Sequence, residues 1–404
     1  MVNTFFRLIF LSFLKRIDKG SLTVYFPNGN SILYQGQGQG YDANINIKTW
    51  WVVIHAMARG NVGLAADYRD GFWTTENLEE FLLFGAYNPE LIQHYGRSIF
   101  IFKMISRVLY SFRRNTVRQS KKNIHEHYDL GNDFYKVWLD KSMTYSSAIF
   151  TGQAVVTDYS NNEELHQAQL QKYHYILNRM NTSNSSVLEV GCGWGGFAEE
   201  LCLRDSSVYY KGCTLSQPQA QYAIERNSQY NNNVEVVIED YRNLTGSYDY
   251  IVSIEMLEAV GQEYWSEYFH QIQMLLKPKG KAFIQTIIID DDFFEAYTKQ
   301  DDMIRTFIFP GGMLPCMSVL RKEFASCQLV CEEEFSFGQD YARTLRHWLC
   351  NFDQQYETIK ALDFDDKFIR MWRFYLAFCI AGFVSKRIDV VMLQLSKNNL
   401  VINA

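Results

Sequence analysis

An apolar run that ends in an acidic residue and a glycine-rich turn constrains this chain more than any other stretch: Val187-Leu188-Glu189-Val190-Gly191-Cys192-Gly193-Trp194-Gly195-Gly196-Phe197. A helical segment, Ala198 to Leu203, opens directly after it. A strand that stops in such a turn brings backbone N–H groups and a helix N-terminus against a ligand, with no Cβ in the way. Dinucleotide sites use G-x-G-x-x-G for this purpose. Here the spacing is E-x-G-x-G-x-G-G, which predicts an α/β unit with a nucleotide-like ligand over its first strand–helix junction.

The rest of the C-terminal two thirds supports that expectation. Strands are predicted at Ser186–Val190, Val208–Thr214, Val234–Ile238, Tyr248–Ile254 and Gly280–Ile288. Helices fall between them at Gly196–Leu203, Gln217–Asn227 and Tyr264–Leu276. Such alternation implies a doubly wound, Rossmann-like parallel sheet whose ligands lie beyond the carboxyl ends of the strands. The informative positions are then Glu189–Trp194, Cys213–Gln219, Asp240-Tyr241, Glu255–Glu258 and Gln285–Ile288.

At 404 residues the chain exceeds one ordinary core. Residues 1–90 read as a small α+β domain, with strand-like pieces at Ser21–Pro27, Ser31–Gln35 and Ala43–Ile47 and a turn at Asn28-Gly29. A short capped helix, Glu79 to Phe84, follows. Residues 91–125 form a basic amphipathic linker, and 126–404 the larger α/β domain. In the linker Arg97, Lys103, Arg107, Arg113, Arg114, Arg118, Lys121 and Lys122 occur with no Asp or Glu between Glu90 and Glu126. Apolar residues from Ile99 to Phe112 are interleaved with them. In a chain of net charge −6, such a segment is drawn to an anionic bilayer by about 1 kcal/mol per cation near the surface. A solvated linker helix is the alternative. No nucleic-acid-binding motif accompanies it, so nucleic acid is not an expected partner.

Phe and Tyr are abundant, 29 and 26 residues, which fits a large apolar cavity or a lipid-facing surface as well as an AT-rich genome. The eight cysteines show no C-x-x-C pair and read as reduced cytosolic thiols. Met1 to Leu14 is apolar but too short to span a bilayer, and no run of about 20 apolar residues occurs. A soluble or peripheral protein is expected. His125 and His127 flank Glu126 without an evident third ligand, and Asp290-Asp291-Asp292 reads as an acidic helix start. No metal is expected.

Further phrases extend the pattern. His127-Tyr128-Asp129-Leu130-Gly131-Asn132-Asp133-Phe134-Tyr135 and Met143-Thr144-Tyr145-Ser146-Ser147-Ala148 precede the glycine turn. Gly212-Cys213-Thr214-Leu215-Ser216-Gln217-Pro218-Gln219, Glu239-Asp240-Tyr241-Arg242 and Ser253-Ile254-Glu255-Met256-Leu257-Glu258-Ala259-Val260-Gly261 follow it. Phe307-Ile308-Phe309-Pro310-Gly311-Gly312-Met313-Leu314-Pro315 and Phe337-Gly338-Gln339-Asp340-Tyr341 close the series. From about Asn123 to Ile388 this ordered set closely resembles the cyclopropane-fatty-acyl-phospholipid synthase family of S-adenosylmethionine (SAM)-dependent methyltransferases. Residues 1–90, with Gly63-Leu64-Ala65-Ala66-Asp67-Tyr68-Arg69-Asp70-Gly71-Phe72-Trp73, look like the small domain that precedes the catalytic one in the phospholipid-acting members.

The resemblance implies a class I SAM methyltransferase fold and SAM contacts from Tyr145, Ser146, Glu189, Gly191, Gly193, Thr214, Leu215, Gln219, Asp240 and Tyr241. Methyl transfer to an isolated alkene leaves a carbocation on the acyl chain, which needs a nearby carboxylate or electron-rich ring and then a base. In the family the proton step is assigned to a bicarbonate held by a Cys, a Glu, a His and a Tyr. Glu258 matches the Glu and Tyr341 the Tyr. Ser147 stands in place of the Cys, Gln285 in place of the His, and Ala259 where a His usually follows the glutamate. Gln285 can hydrogen-bond an anion but cannot titrate, and bicarbonate could still bind through Gln285, Ser147 and Tyr341. Glu255 stands where family members often carry Gly, three residues before Glu258. The two carboxylates could share one pocket, one stabilising the cation and the other taking the proton; alternatively Glu255 caps the next helix or binds the SAM ribose.

The expected activity is methyl or methylene transfer from SAM to the double bond of an unsaturated acyl chain in membrane phospholipid, giving a cyclopropane or a methylated or methylene fatty acid. The expected location is the cytoplasmic, inner face of the membrane. Methylated alkenes would pass to a partner oxidoreductase or reductase. The N-terminal domain could mediate a homodimer, although no heptad or self-complementary patch marks one. N-methylation of a small amine and a decayed SAM- or lipid-binding protein are the competing readings, and the basic segment and extra domain weigh against the first.

Overall fold

The computed structural model describes residues 14, 16–93, 130–152, 158–230 and 232–398. Residues 1–13, most of the basic segment and the His125–His127 phrase lie outside the described residues.

The N-terminal part builds a sheet of four strands: β1 (Lys19–Tyr25), β2 (Ser31–Gln35), β3 (Gly38–Ile47) and β4 (Trp73–Thr74), in the order β2-β1-β3-β4. β1 and β2 form an antiparallel hairpin closed by the Phe26 N–H donating to the Asn30 carbonyl at 2.8 Å, and Gly29 takes a positive φ of 81°, as the last position of a three-residue hairpin loop favours. Helices α1 (Trp51–Arg69), α2 (Leu78–Tyr87) and α3 (Pro89–Gln93) complete this part. Asn77 caps α2, its side chain accepting the Glu80 N–H at 3.2 Å.

The larger part continues with α4 (Gly131–Trp138), α5 (Asn162–Leu177), β5 (Ser186–Val190), α6 (Gly196–Arg204), β6 (Tyr209–Thr214), α7 (Gln217–Arg226), β7 (Val234–Ile238) and β8 (Tyr248–Ile254). It then runs through α8 (Trp265–Leu275), β9 (Leu276–Ile289), α9 (Asp291–Thr298), α10 (Met317–Ser326), β10 (Leu329–Ser336), α11 (Gly338–Gln354), α12 (Tyr356–Ala361), α13 (Asp366–Val384) and β11 (Ile388–Lys397). Its seven strands lie in the order β10-β11-β9-β8-β5-β6-β7. β5 to β9 pair in parallel, whereas β11 runs antiparallel to both β9 and β10. Four of five buried positions on β5 fit a strand covered on both faces.

Two expectations need correction. The sheet is mixed, not purely parallel, because β10 and β11 were absent from the strand pattern. Glu332, Glu333 and Glu334 interrupt β10, as suits an edge strand that resists further pairing. β9 begins at Leu276 instead of Gly280, directly after α8.

The two parts meet along α13. Tyr68 and Trp73 pack on Phe374, with ring centroids 5.6 and 6.3 Å apart. Arg370 donates to the Tyr68 carbonyl at 2.7 Å, and Arg346 donates to Glu79 at 2.6 and 2.9 Å. Among the described residues no helix is long and apolar enough to cross a membrane.

Candidate active site

From β5 the chain winds outward to β6 and β7 on one side, and later to β8 and β9 on the other. Strand order therefore reverses between β5 and β8, and the crevice beyond their carboxyl ends is where doubly wound sheets bind ligands. The glycine turn after β5 and Glu255 after β8 both face that crevice. Gly191 has a φ of 84°, and a Cβ there would sit 2.9 Å from Met256 Cγ. Only glycine lets the two loops approach this closely.

A cavity of about 180 Å³ opens over the turn. Tyr145, Ser146, Glu189, Gly191, Gly193, Thr214, Leu215, Gln219, Asp240 and Tyr241 all line it, so the ten positions carried over for SAM come together. Met143, Trp194, Ile254 and Met256 add apolar walls. Thr214 donates to Gln219 at 3.1 Å, fixing the loop after β6. Burial works against the charge of Asp240, but Arg242, bonded at 2.7 and 2.8 Å, holds its carboxyl below the ordinary value. The buried Tyr241 hydroxyl has no hydrogen-bond partner among the described residues.

Beneath this cavity lies a buried polar layer. Glu189 accepts a hydrogen bond from the Tyr210 hydroxyl, and burial raises its pKa to about 8 despite that bond and Lys172. Lys172, fully buried on α5, donates to Ser146 Oγ at 2.5 Å. Burial pulls its pKa down to about 7, against the opposing charges of Glu255, Asp140 and Glu189.

Glu255 adopts a φ of 50°, a left-handed conformation that a non-glycine residue rarely keeps without compensation. The compensation is visible. Its carboxylate accepts the Ser147 backbone N–H at 2.8 Å, the Gln285 side-chain N–H at 2.7 Å and the Tyr341 hydroxyl at 2.5 Å. Burial raises its pKa, while Tyr341, Ser147, Lys172 and Gln285 pull it back. Glu258 sits in the same region, accepting the Thr286 hydroxyl at 3.0 Å and the Ile287 N–H. Burial and the charge of Glu255 raise its pKa to about 8. With more donors and a buried cation nearby, Glu255 is the better placed of the two to hold a negative charge.

A second, apolar cavity of about 540 Å³ adjoins the first. α13 contributes Phe374, Phe378 and Phe383, the loop after α9 contributes Phe309 and Met313, and the N-terminal part contributes Ile45, Val53 and Leu82. Tyr145, Glu255 and Ala259 line both cavities. Glu258 and Tyr341 line the apolar one. The apolar run Met371–Val384 lies within α13, which packs along this cavity.

The sequence profile of the mycolic acid cyclopropane synthetase family matches residues 115–393. The chain belongs to that family. Over 342 residues, 82% of this chain and 78% of the relative, it is 34% identical to the tuberculostearic acid methyltransferase UfaA1 of Mycobacterium tuberculosis. It is 29% identical over 363 residues, 88% of each chain, to the cyclopropane-fatty-acyl-phospholipid synthase of Escherichia coli K12. Among solved structures, mycolic acid cyclopropane synthase CmaA1 complexed with SAH and CTAB superposes with a TM-score of 0.62 at 26% identity, covering 69% of this chain and 98% of that one.

As a family member the chain is a SAM-dependent methyltransferase, and the crevice residues fit that donor. The cavity lies directly over the glycine turn, where Gly191, Gly193 and Gly196 present no side chain, and its apolar walls suit an adenine. Bicarbonate fits less well. The three groups expected to hold it already serve the Glu255 carboxylate, and Ser147 does so through its backbone, its hydroxyl donating to the Ala148 carbonyl at 3.0 Å. The expectation that the Ser147 side chain replaces a thiol toward an anion is therefore corrected. Glu255 does not cap the turn that follows it, which has no side-chain cap bond. Lys172 escaped the sequence reading because a lone lysine on an amphipathic helix carries no signal of burial.

Proposed function

We propose that this methyltransferase alkylates the double bond of an unsaturated acyl chain in membrane phospholipid and that Glu255 is its base. The observation that carries the reading is the position of one carboxylate, Glu255, at the junction of a SAM-type cavity and a long apolar cavity.

When bound, SAM supplies an electrophilic methyl on a sulfonium. The apolar cavity holds the acyl chain, excludes water and presents its alkene at Tyr145 and Glu255. The alkene π pair forms the new carbon–carbon bond, the sulfur keeps the electrons of the broken one, and a cation is left on the adjacent chain carbon. Glu255, ionised and fixed by three donors, faces that charge and accepts the proton. Proton loss from the new methyl closes a cyclopropane; loss from a neighbouring carbon gives a methylated or methylene alkene. Neutral Glu258 leaves a single negative charge in the pocket.

The basic segment between Arg97 and Lys122 supports docking on the anionic inner leaflet. The test is incubation with SAM and vesicles of an oleoyl phospholipid, followed by mass spectrometry of the released fatty acids. The expected product is oleate heavier by one CH2, with ring and branched alkene separated by hydrogenation. Methylation of small amines with no change in the lipid would overturn the reading.

A further inference from the structure

We propose that Arg387 is the anchor for the phosphodiester of the glycerophospholipid whose acyl chain fills the apolar cavity; this rests on the acyl-chain methylation reading above. Arg387 lies between α13 and β11 and lines that cavity with Ser385 and Ile388. Its guanidinium stacks on Phe293, 4.9 Å from the ring centroid. Beside it, Lys386 is exposed, so this end of the cavity reaches the surface.

No acid pairs with Arg387 among the described residues, and the nearby acids are committed elsewhere. Asp290 accepts the Asp292 N–H at 2.9 Å, and Asp291 accepts the Ser318 N–H at 3.2 Å. Asp389 accepts the Gly338 and Val390 N–H groups at 2.7 and 2.8 Å. The contrast is Arg305, which lines the same cavity but is held by Asp302 at 2.7 Å. Burial lowers the pKa of Arg387 with no neighbouring charge to oppose it. A partly desolvated guanidinium without a counter-charge is costly, and its planar fork matches phosphate oxygens.

The register sets a length. Gln285, which donates to Glu255, and Ile287 and Ile289 occupy alternate positions on one face of β9, opposite Met392, Val390 and Ile388 of β11. Both isoleucines and Ile388 line the cavity. The Arg387 carbonyl accepts the Asp290 N–H at 3.0 Å, five residues beyond Gln285. At about 3.3 Å per residue, the Arg387 backbone lies roughly 17 Å along the strand from Gln285, a span on the scale of a glycerol ester linkage plus part of an acyl chain.

The test compares three substrates with the same acyl group in vesicles of saturated phosphatidylcholine: dioleoylphosphatidylcholine, dioleoylglycerol and free oleate. The full chain is expected to favour the phospholipid in kcat/KM by about tenfold or more, the scale of a charge-assisted contact. In Arg387→Gln that preference should collapse through a higher KM with kcat nearly unchanged, while Arg387→Lys retains part of it. SAH binding should be unaltered in both variants. Unchanged discrimination in Arg387→Gln overturns the anchor while leaving the acyl-chain methylation reading intact. An Arg387-dependent preference for free oleate overturns it in favour of carboxylate recognition. Failure of the wild-type chain to alkylate any of the three, with SAH still bound, overturns the functional reading itself and the anchor with it.

Discussion

The two cavities were assembled in different ways. The SAM cavity gathers the loops after β5, β6, β7 and β8 together with the segment Met143–Ser146, and three glycines of one turn, Gly191, Gly193 and Gly196, lie in its lining. The apolar cavity draws on α1 and α2, on the loop after α9 and on α13, segments hundreds of residues apart in sequence, and most of its lining residues are apolar. A backbone cradle tolerates little change in conformation, whereas a side-chain cavity can be reshaped without losing the fold. That difference teaches where donor binding is fixed and where substrate choice is free to vary, with Glu255 at the seam.

The largest effect expected is at the seam. Glu255→Gln should lower kcat by roughly 10²–10⁴-fold, the usual weight of a positioned base, while SAH affinity measured by calorimetry stays the same. A loss of SAH affinity of the same size would place Glu255 on the donor side. Next comes the backbone cradle. Gly191→Ala puts a Cβ against Met256 at a positive φ, a strain of about 1–3 kcal/mol, and SAH affinity should fall roughly 10–100-fold. Equal binding of SAH would break the claim that backbone geometry defines this cavity.

On the apolar side the effect should be smaller and confined to the lipid. Ala86→Phe fills part of the N-terminal wall of the cavity; overpacking costs about 1–3 kcal/mol. It should raise KM for long acyl chains several-fold more than for short ones, with SAH binding intact. Identical chain-length profiles would remove the N-terminal part from the substrate site.

The smallest effect concerns pH. Glu258 has its pKa raised from 4.5 to about 8, so the folded protein holds a proton that the unfolded chain has released. Its contribution to stability is complete below 4.5 and is lost as pH rises through about 8. Above that point two charges share the apolar pocket, and activity should decline. Glu258→Gln should shift or flatten that alkaline limb in a pH–rate profile; an unchanged limb would assign it to another group.

Legibility followed the same division. Strands β5, β7 and β8 and the SAM-side residues were readable because a strand, a turn and a capped helix are local patterns. β10 and β11 were not, since an acid-interrupted edge strand and a strand following a long apolar helix imitate loop and helix. Glu255 and Glu258 were visible as a pair at a strand end, but not the donors that hold each one. Ser147 contributes its backbone, which no side-chain identity announces. Lys172 stands out by its burial and Arg387 by the absence of an acidic partner among the described residues, properties that only the folded chain reveals.

The central claim is that Glu255 occupies the place of an exogenous anion. Its most direct test is turnover in buffer stripped of carbon dioxide, with bicarbonate then added back, for the wild-type chain and for Glu255→Gly, which suits the positive φ at that position. The wild-type rate should be the same with and without bicarbonate, and Glu255→Gly should be inactive until bicarbonate is supplied. A wild-type enzyme that stops without bicarbonate would contradict the account.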